Sequence, residues 1–250
     1  MELKTNFKQW ACSLSGCDGG NPKADIWICG IEWGYNKNDK TQEEYYKVDL
    51  PQEIANGEYY PSEKYKWKDS LEYPYGRNVA KLYSAIIGEK VSDYKKVADN
   101  RTGSEIFKMN LYPIAFNNTD EQLWKKYRLN EVTGFEEKNL FKTWCYLHRF
   151  PAISRFVNEN KPKLIIGTGI SYLTDFFVCF AGDRGVNTTI NFGEILQESG
   201  MGKLVRRTYF WAKLINGTTL VVIPFFSGSY GLNSDFLIQE TGLRIKELIA

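Results

Sequence analysis

Four short apolar runs constrain this chain more than any other feature: residues 24–31, 106–112, 163–167 and 218–224. They are rich in Ile, Leu and Val, lack the polar alternation of a half-exposed strand, and are bounded by Gly, Pro or Asn. Such runs suit strands covered on both faces, the situation of a parallel sheet. The segments between them follow a helical period. Within 77–88, Val79, Leu82, Tyr83, Ile86 and Ile87 fall on one face and Gly88 supplies a stop. Residues 141–159 repeat the pattern with an interruption near Pro151, and 171–180 and 235–248 continue it. Strands alternating with helices predict an α/β fold: a single three-layer domain over 1–250, its central sheet mostly parallel, with helices on both faces. Residues 203–211 read as an extra edge strand.

In doubly wound sheets ligands bind beyond the carboxyl ends of the strands, so the residues there are the first to search. One long stretch, 35–75, shows no helix or strand pattern. It concentrates Tyr45, Tyr46, Tyr59, Tyr60, Tyr65, Tyr73, Tyr75 and Trp67. Its aromatic content argues against disorder, and its length suggests an inserted lid, or a cover for the sheet edge.

Lys and Arg total 32 against 30 Asp and Glu. A net charge of +2 excludes a polycation but allows a local basic stripe. The five cysteines, Cys12, Cys17, Cys29, Cys145 and Cys179, have no disulfide spacing, and Cys29 and Cys179 sit in apolar runs. With no signal-peptide pattern at Met1-Glu2-Leu3-Lys4 and no membrane-length apolar run, a cytoplasmic monomer is the expectation. Gly167-Thr168-Gly169 lacks the third glycine of a dinucleotide fingerprint, and neither a Walker loop nor a Gly-x-Ser-x-Gly elbow occurs.

The strand ends carry a resemblance. Gly16-Cys17-Asp18-Gly19-Gly20-Asn21-Pro22-Lys23-Ala24-Asp25-Ile26 followed by Gly30-Ile31-Glu32-Trp33-Gly34 resembles the lead-in and water-activating loop of the uracil-DNA glycosylase superfamily. In the same order come Gly76-Arg77-Asn78 at a helix start, Asn110-Leu111-Tyr112-Pro113, Lys161-Pro162-Lys163-Leu164-Ile165-Ile166-Gly167-Thr168-Gly169, and Ile223-Pro224-Phe225-Phe226-Ser227-Gly228-Ser229 in the place of a His-Pro-Ser loop. The chain departs from the pattern at Trp33, where the loop has Pro, and at Ile223, where the motif has His. Cys12 and Cys17 do not begin a Cys-x-x-Cys pair, so no iron–sulfur cluster, other metal or cofactor is expected.

The resemblance implies a DNA glycosylase that extrudes a base and hydrolyses its N-glycosidic bond, leaving an abasic site. It casts Glu32 as the water-activating carboxylate, with Asp18 as a second candidate, and Asn110 as the reader of the base edge. Trp33 and Tyr35 are candidates for stacking on the base. Arg77, Ser227, Ser229, Tyr230 and Asn233 are candidates for holding DNA, with Tyr230 or Leu232 as the wedge that replaces the base. Arg206 and Arg207 are placed to touch the backbone or simply to be solvated. The missing histidine and the aromatic insert point away from plain uracil and towards a modified, bulky pyrimidine. The alternative is a catalytically inactive member that binds DNA or a nucleobase.

Overall fold

The computed structural model describes residues 6–32, 34, 42–60, 66–101, 103–116, 122–182, 189–198, 202 and 204–250. Its centre is a seven-stranded sheet built from β1 (Gly19–Gly20), β2 (Ile26–Gly30), β3 (Ile106–Asn110), β4 (Leu164–Thr168), β5 (Asn191–Glu198), β6 (Leu204–Lys213) and β7 (Thr219–Ile223). The order is β1-β3-β2-β4-β7-β6-β5. The four strands read from the sequence are the parallel centre, β3-β2-β4-β7, and β1, β6 and β5 add antiparallel edges.

Burial on both faces explains the unbroken apolar runs. Every residue of β3, β4 and β7 is buried. On one face Ile28, Leu164, Ile166, Val221 and Ile223 pack under the helices Pro74–Ile86 and Asp235–Ile249. On the other, Trp27, Cys29, Phe107, Ile165 and Val222 join the helical layer of Phe7–Ala11, Lys138–Trp144, Phe150–Asn160 and Leu173–Ala181. Cys29 and Cys179 are fully buried and all five cysteines are free thiols. Among the described residues no helix is long and apolar enough to cross a membrane.

Two expectations need correction. The strand expected at 203–211 is β6, and it is not the edge: β5 pairs along its outer side over eight residue pairs. β5 escapes a hydrophobicity reading because Glu194, Gln197 and Glu198 interrupt it. Its Gly193 leaves room for the Tyr209 ring of β6, which lies where a Cβ would project. The stretch 35–75 is also not patternless where it is described. It holds the helical turns Gln42–Glu44 and Tyr45–Asp49, the helix Leu50–Asn56 and a 3-10 segment, Trp67–Glu72. Tyr45, Tyr46, Leu50, Ile54 and Trp67 are buried in core, whereas Tyr60 and Tyr73 are exposed.

A proline sits in this helical segment and in the one read over 141–159. The turns Tyr45–Asp49 and Cys145–Arg149 are wide π turns, each separated by a single residue from a proline, Pro51 or Pro151. Proline has no N–H and its ring collides with the carbonyl four residues back; a widened turn removes that collision and lets the helix run on. The second π turn ends at Arg149, whose side chain is completely buried. Its Nε donates to Leu111 O at 2.6 Å, Nη1 to Ala11 O at 2.6 Å and Ser15 Oγ at 3.2 Å, and Nη2 to Ser15 O at 2.8 Å and Asn110 O at 3.1 Å. One guanidinium thus ties residues 11–15 across the carboxyl end of β3.

Arg149→Met removes these donors and leaves buried carbonyls unsatisfied, at about 1–3 kcal/mol for each group. The expected outcome is a loss above about 4 kcal/mol in denaturant unfolding, the range reserved for broken buried networks; a loss under about 1 kcal/mol contradicts the anchoring role.

Candidate functional site

After β2 the chain crosses to β3 on one side, then returns past β2 to β4 and β7 on the other, so the switch point lies between the carboxyl ends of β2 and β4. Much of that gap is filled by the protein. Gly169, at φ +124°, admits the ends of Phe225 and Ile31 where a side chain would stand. Gly30 likewise makes room for the Asn110 amide. Polar groups gather to either side, in two clusters.

The first surrounds Asn110. β2 and β3 pair Gly30 with Asn110, which is buried. Asn110 Nδ2 donates to Gly16 O at 2.9 Å and has a longer, weaker contact of 3.5 Å to Asp18 Oδ1. The other Asp18 oxygen pairs with Lys108 Nζ at 2.8 Å. Lys108 is buried on β3, two residues before Asn110, and its ammonium lies 5.8 Å from the centre of the Tyr75 ring. The Tyr75 hydroxyl meets Thr168 Oγ1, at the end of β4, at 3.1 Å, and burial pushes its ionisation up.

A cavity of about 200 Å³ opens beside this cluster, lined by Gly16, Cys17, Asp18, Glu53 and Tyr59. It is smaller than the ~300–1,000 Å³ clefts that take drug-sized ligands. The helix Leu50–Asn56 brings Glu53, and a backbone bridge brings Tyr59: Leu14 N donates to Tyr59 O at 3.2 Å and Tyr59 N to Ser13 Oγ at 3.0 Å. Its two carboxyls sit in contrasting surroundings. Asp18 has the Lys108 ammonium on it, whereas burial, helped by the like charge of Asp49, pushes Glu53 up to about 7. Burial also raises the Cys17 thiol to about 12, which makes it a poor nucleophile.

The second cluster gathers along the helix Lys138–Trp144. The Glu32 side chain, only 6% exposed, packs against Lys138, the first residue of its helix, at 3.2 and 3.3 Å, and the same ammonium lies 3.8 Å from the centre of the Phe116 ring. Burial raises Glu32 to about 7, with Lys138 and Lys142 opposing the rise. Lys142 lies 5.6 and 5.5 Å from the Tyr112 and Tyr172 ring centres, and the Tyr112 hydroxyl donates to Asp175. Lys138 engages Glu32, whereas Gly16 and Asp18 engage Asn110, so the two side chains have different partners. Asp18 is the carboxylate beside Asn110.

Trp33 and Tyr35 lie outside the described residues. Arg77 donates to Leu71 O and Glu72 O at 3.0 and 2.9 Å, closing the turn before its helix. Ser227, Ser229 and Tyr230 are exposed on the loop after β7, with Tyr230 84% exposed. Asn233 Nδ2 donates back to Gly228 O at 3.0 Å, and Arg207, buried, donates to Gly231 O and Ser229 O at 2.6 and 2.8 Å. Asn233 and Arg207 shape this loop from within. Leu232 is fully buried, which removes it as a wedge; Arg206 is exposed and pairs with Glu194 at 3.3 Å. Among the described residues no three His, Cys, Asp or Glu side chains are grouped to hold a metal ion.

Glu53, Lys108 and Lys138 were not singled out from the sequence. Lys108 carried a signal, a lysine inside an otherwise apolar strand; Glu53 and Lys138 carried none. Comparisons of the chain with protein-family models, curated proteins and solved structures find no match.

A site that keeps a carboxyl largely away from water sacrifices stability. Glu53 rises from an ordinary value of 4.5 to about 7 on folding, so the native state holds its proton more tightly than the unfolded chain does. The associated stability is complete below about pH 4.5 and is lost as pH climbs to about 7. Glu32 shifts in the same direction in both proteins, so comparison of wild type with Glu53→Gln isolates Glu53. Melting curves are expected to coincide near pH 4.5 and to show the variant melting higher at about pH 8, one unit above the raised value. A lower melting temperature for the variant on the alkaline side contradicts the assignment.

Proposed function

We propose that this chain hydrolyses the N-glycosidic bond of DNA as a monofunctional glycosylase, holding an extruded base in the cavity beside Asn110. The observation that carries the reading is the cavity at the carboxyl edge of a doubly wound sheet, lined by Tyr59 and by Asp18, which Asn110 and Lys108 contact. The likeness to the uracil-DNA glycosylase superfamily adds support, because its motifs fall at the carboxyl ends of β2, β3, β4 and β7, where such a fold binds ligands.

Breaking this bond builds positive charge on the sugar and negative charge on the departing base, so the protein must place charges before the reaction begins. Asp18 stabilises the sugar cation and accepts a proton from the attacking water. Lys108 orients one of its oxygens and leaves the other towards Asn110. The weak 3.5 Å contact lets an Asn110 N–H turn to a base carbonyl, while Tyr59 offers a face on which the base stacks. Ser227 and Ser229, exposed on their loop, meet phosphate, and Tyr230 fills the vacated stack. A second reading, a base-binding member without turnover, is favoured by one observation: Lys138 neutralises Glu32, the carboxylate of the water-activating loop.

Alkaline cleavage of oligonucleotides carrying a panel of modified pyrimidines tests the proposal. Loss of a general base lowers rates about 10²–10⁴-fold. That drop is expected for Asp18→Asn, with a smaller one for Asn110→Ala and near-wild-type rates for folded Glu32→Gln. Strand breaks that vanish in Glu32→Gln but survive in Asp18→Asn overturn the site; oligonucleotide binding without breaks on any substrate supports the second reading.

A further inference from the structure

The cavity's second carboxyl has no part in the chemistry so far. Glu53 lines the same space as Asp18 and Tyr59 and comes from a different element, the helix Leu50–Asn56. Its surroundings are unlike those of Asp18. Asp49, just before that helix, repels its charge; across the cavity stand Asp18, Cys17 and Tyr59. The helix Phe7–Ala11, packed against it, contributes one titratable group, Lys8, and that side chain lines a separate groove with Cys12 and Arg155. Lys108 is engaged by Asp18. A pair of carboxyls with environments that diverge in this way divides into an acid and a base.

Resting on the glycosylase reading, we propose that Glu53 is the general acid that protonates the departing base, and that the substrates are bases whose anions leave poorly, cytosine-type pyrimidines ahead of uracil-type ones. The proton of the Glu53 carboxyl passes to a ring nitrogen or carbonyl oxygen of the base as the C1′–N bond breaks, and that bond's electron pair goes to the base. The water oxygen bonds to C1′ and its proton goes to Asp18. A neutral base and an abasic hemiacetal result; Asp18 returns its proton, and Glu53 regains one, through solvent. A uracil-type base leaves as a stabilised anion and gains little from an acid; a cytosine-type base does not leave readily without one. This also accounts for Ile223 at the place of the motif histidine, since a base that departs neutral needs no side chain there to hold an anion. Burial lifts the Glu53 carboxyl to about 7, so part of it is protonated at neutral pH.

Single-turnover base release from oligonucleotides carrying uracil, fluorouracil, cytosine or methylcytosine, by wild type and Glu53→Gln from mildly acidic to mildly alkaline pH, decides the matter. The expected result is faster release of the cytosine-type bases by wild type, falling above about pH 7. Glu53→Gln should lose about 10²–10⁴-fold on those bases, lose far less on the uracil type, and show no fall above neutrality. The ratio between the two classes is insensitive to a partly unfolded variant, which slows both alike. An unchanged ratio in Glu53→Gln, or a wild type that prefers uracil, overturns the acid role while leaving the glycosylase reading in place. Release of no base by wild type overturns both.

Discussion

A single buried guanidinium decides where this molecule can have a site. Arg149 commits its donors to backbone and hydroxyl oxygens at residues 11, 15, 110 and 111, so the amino-terminal segment cannot lift from the end of β3. That segment continues directly into Gly16, Cys17 and Asp18, the floor of the cavity. The planar fork suits several carbonyls at once, which a lysine's point charge does not. Its aim depends on the π turn at Cys145–Arg149, which in turn answers to Pro151. Proline placement, helix geometry and site position form one chain of cause.

Around that anchor stand two lysine–carboxylate pairs, Lys138–Glu32 and Lys108–Asp18. Lys138–Glu32 is closed: both side chains are nearly inaccessible, and an aromatic ring covers the ammonium. Lys108–Asp18 is half open, because its lysine is buried while its aspartate reaches the cavity. Removing one member of a closed pair strands a buried charge, which typically destabilises by about 3–5 kcal/mol; a closed pair therefore holds structure. A half-open pair presents a fixed charge to whatever enters. On the proposed reading, this difference in access is what assigns the chemical role to Asp18 and not to Glu32.

The parallel centre of the fold was legible in the sequence because burial on two faces forces unbroken apolar runs, and β2, β3, β4 and β7 fall largely within those read. β5 was not legible: one of its faces is wet, so Glu194 and Glu198 break the hydrophobic signal. The helical segments of 42–56 were obscured by tyrosines at mixed spacing and by Pro51, and Glu53 was lost with them. Asn110 was visible at the end of a strand, and Asp18 as a second carboxylate in the lead-in before the first strand read. Their proximity was set by Gly16 and Arg149, through contacts between residues 94, 134 and 138 positions apart. Glu32 was likewise visible, but its partner Lys138 stands 106 residues away, and nothing local announces it.

The central claim, that the Asp18 cavity and not the Glu32 cluster receives the base, is tested most directly by a crystal structure of Asp18→Asn with an oligonucleotide carrying a cytosine-type base. The account predicts the extruded base against Tyr59, with the substituted amide beside its sugar and the Glu53 carboxyl at its edge. A base seated against Lys138 and Lys142, with the cavity beside Asn110 left empty, contradicts it.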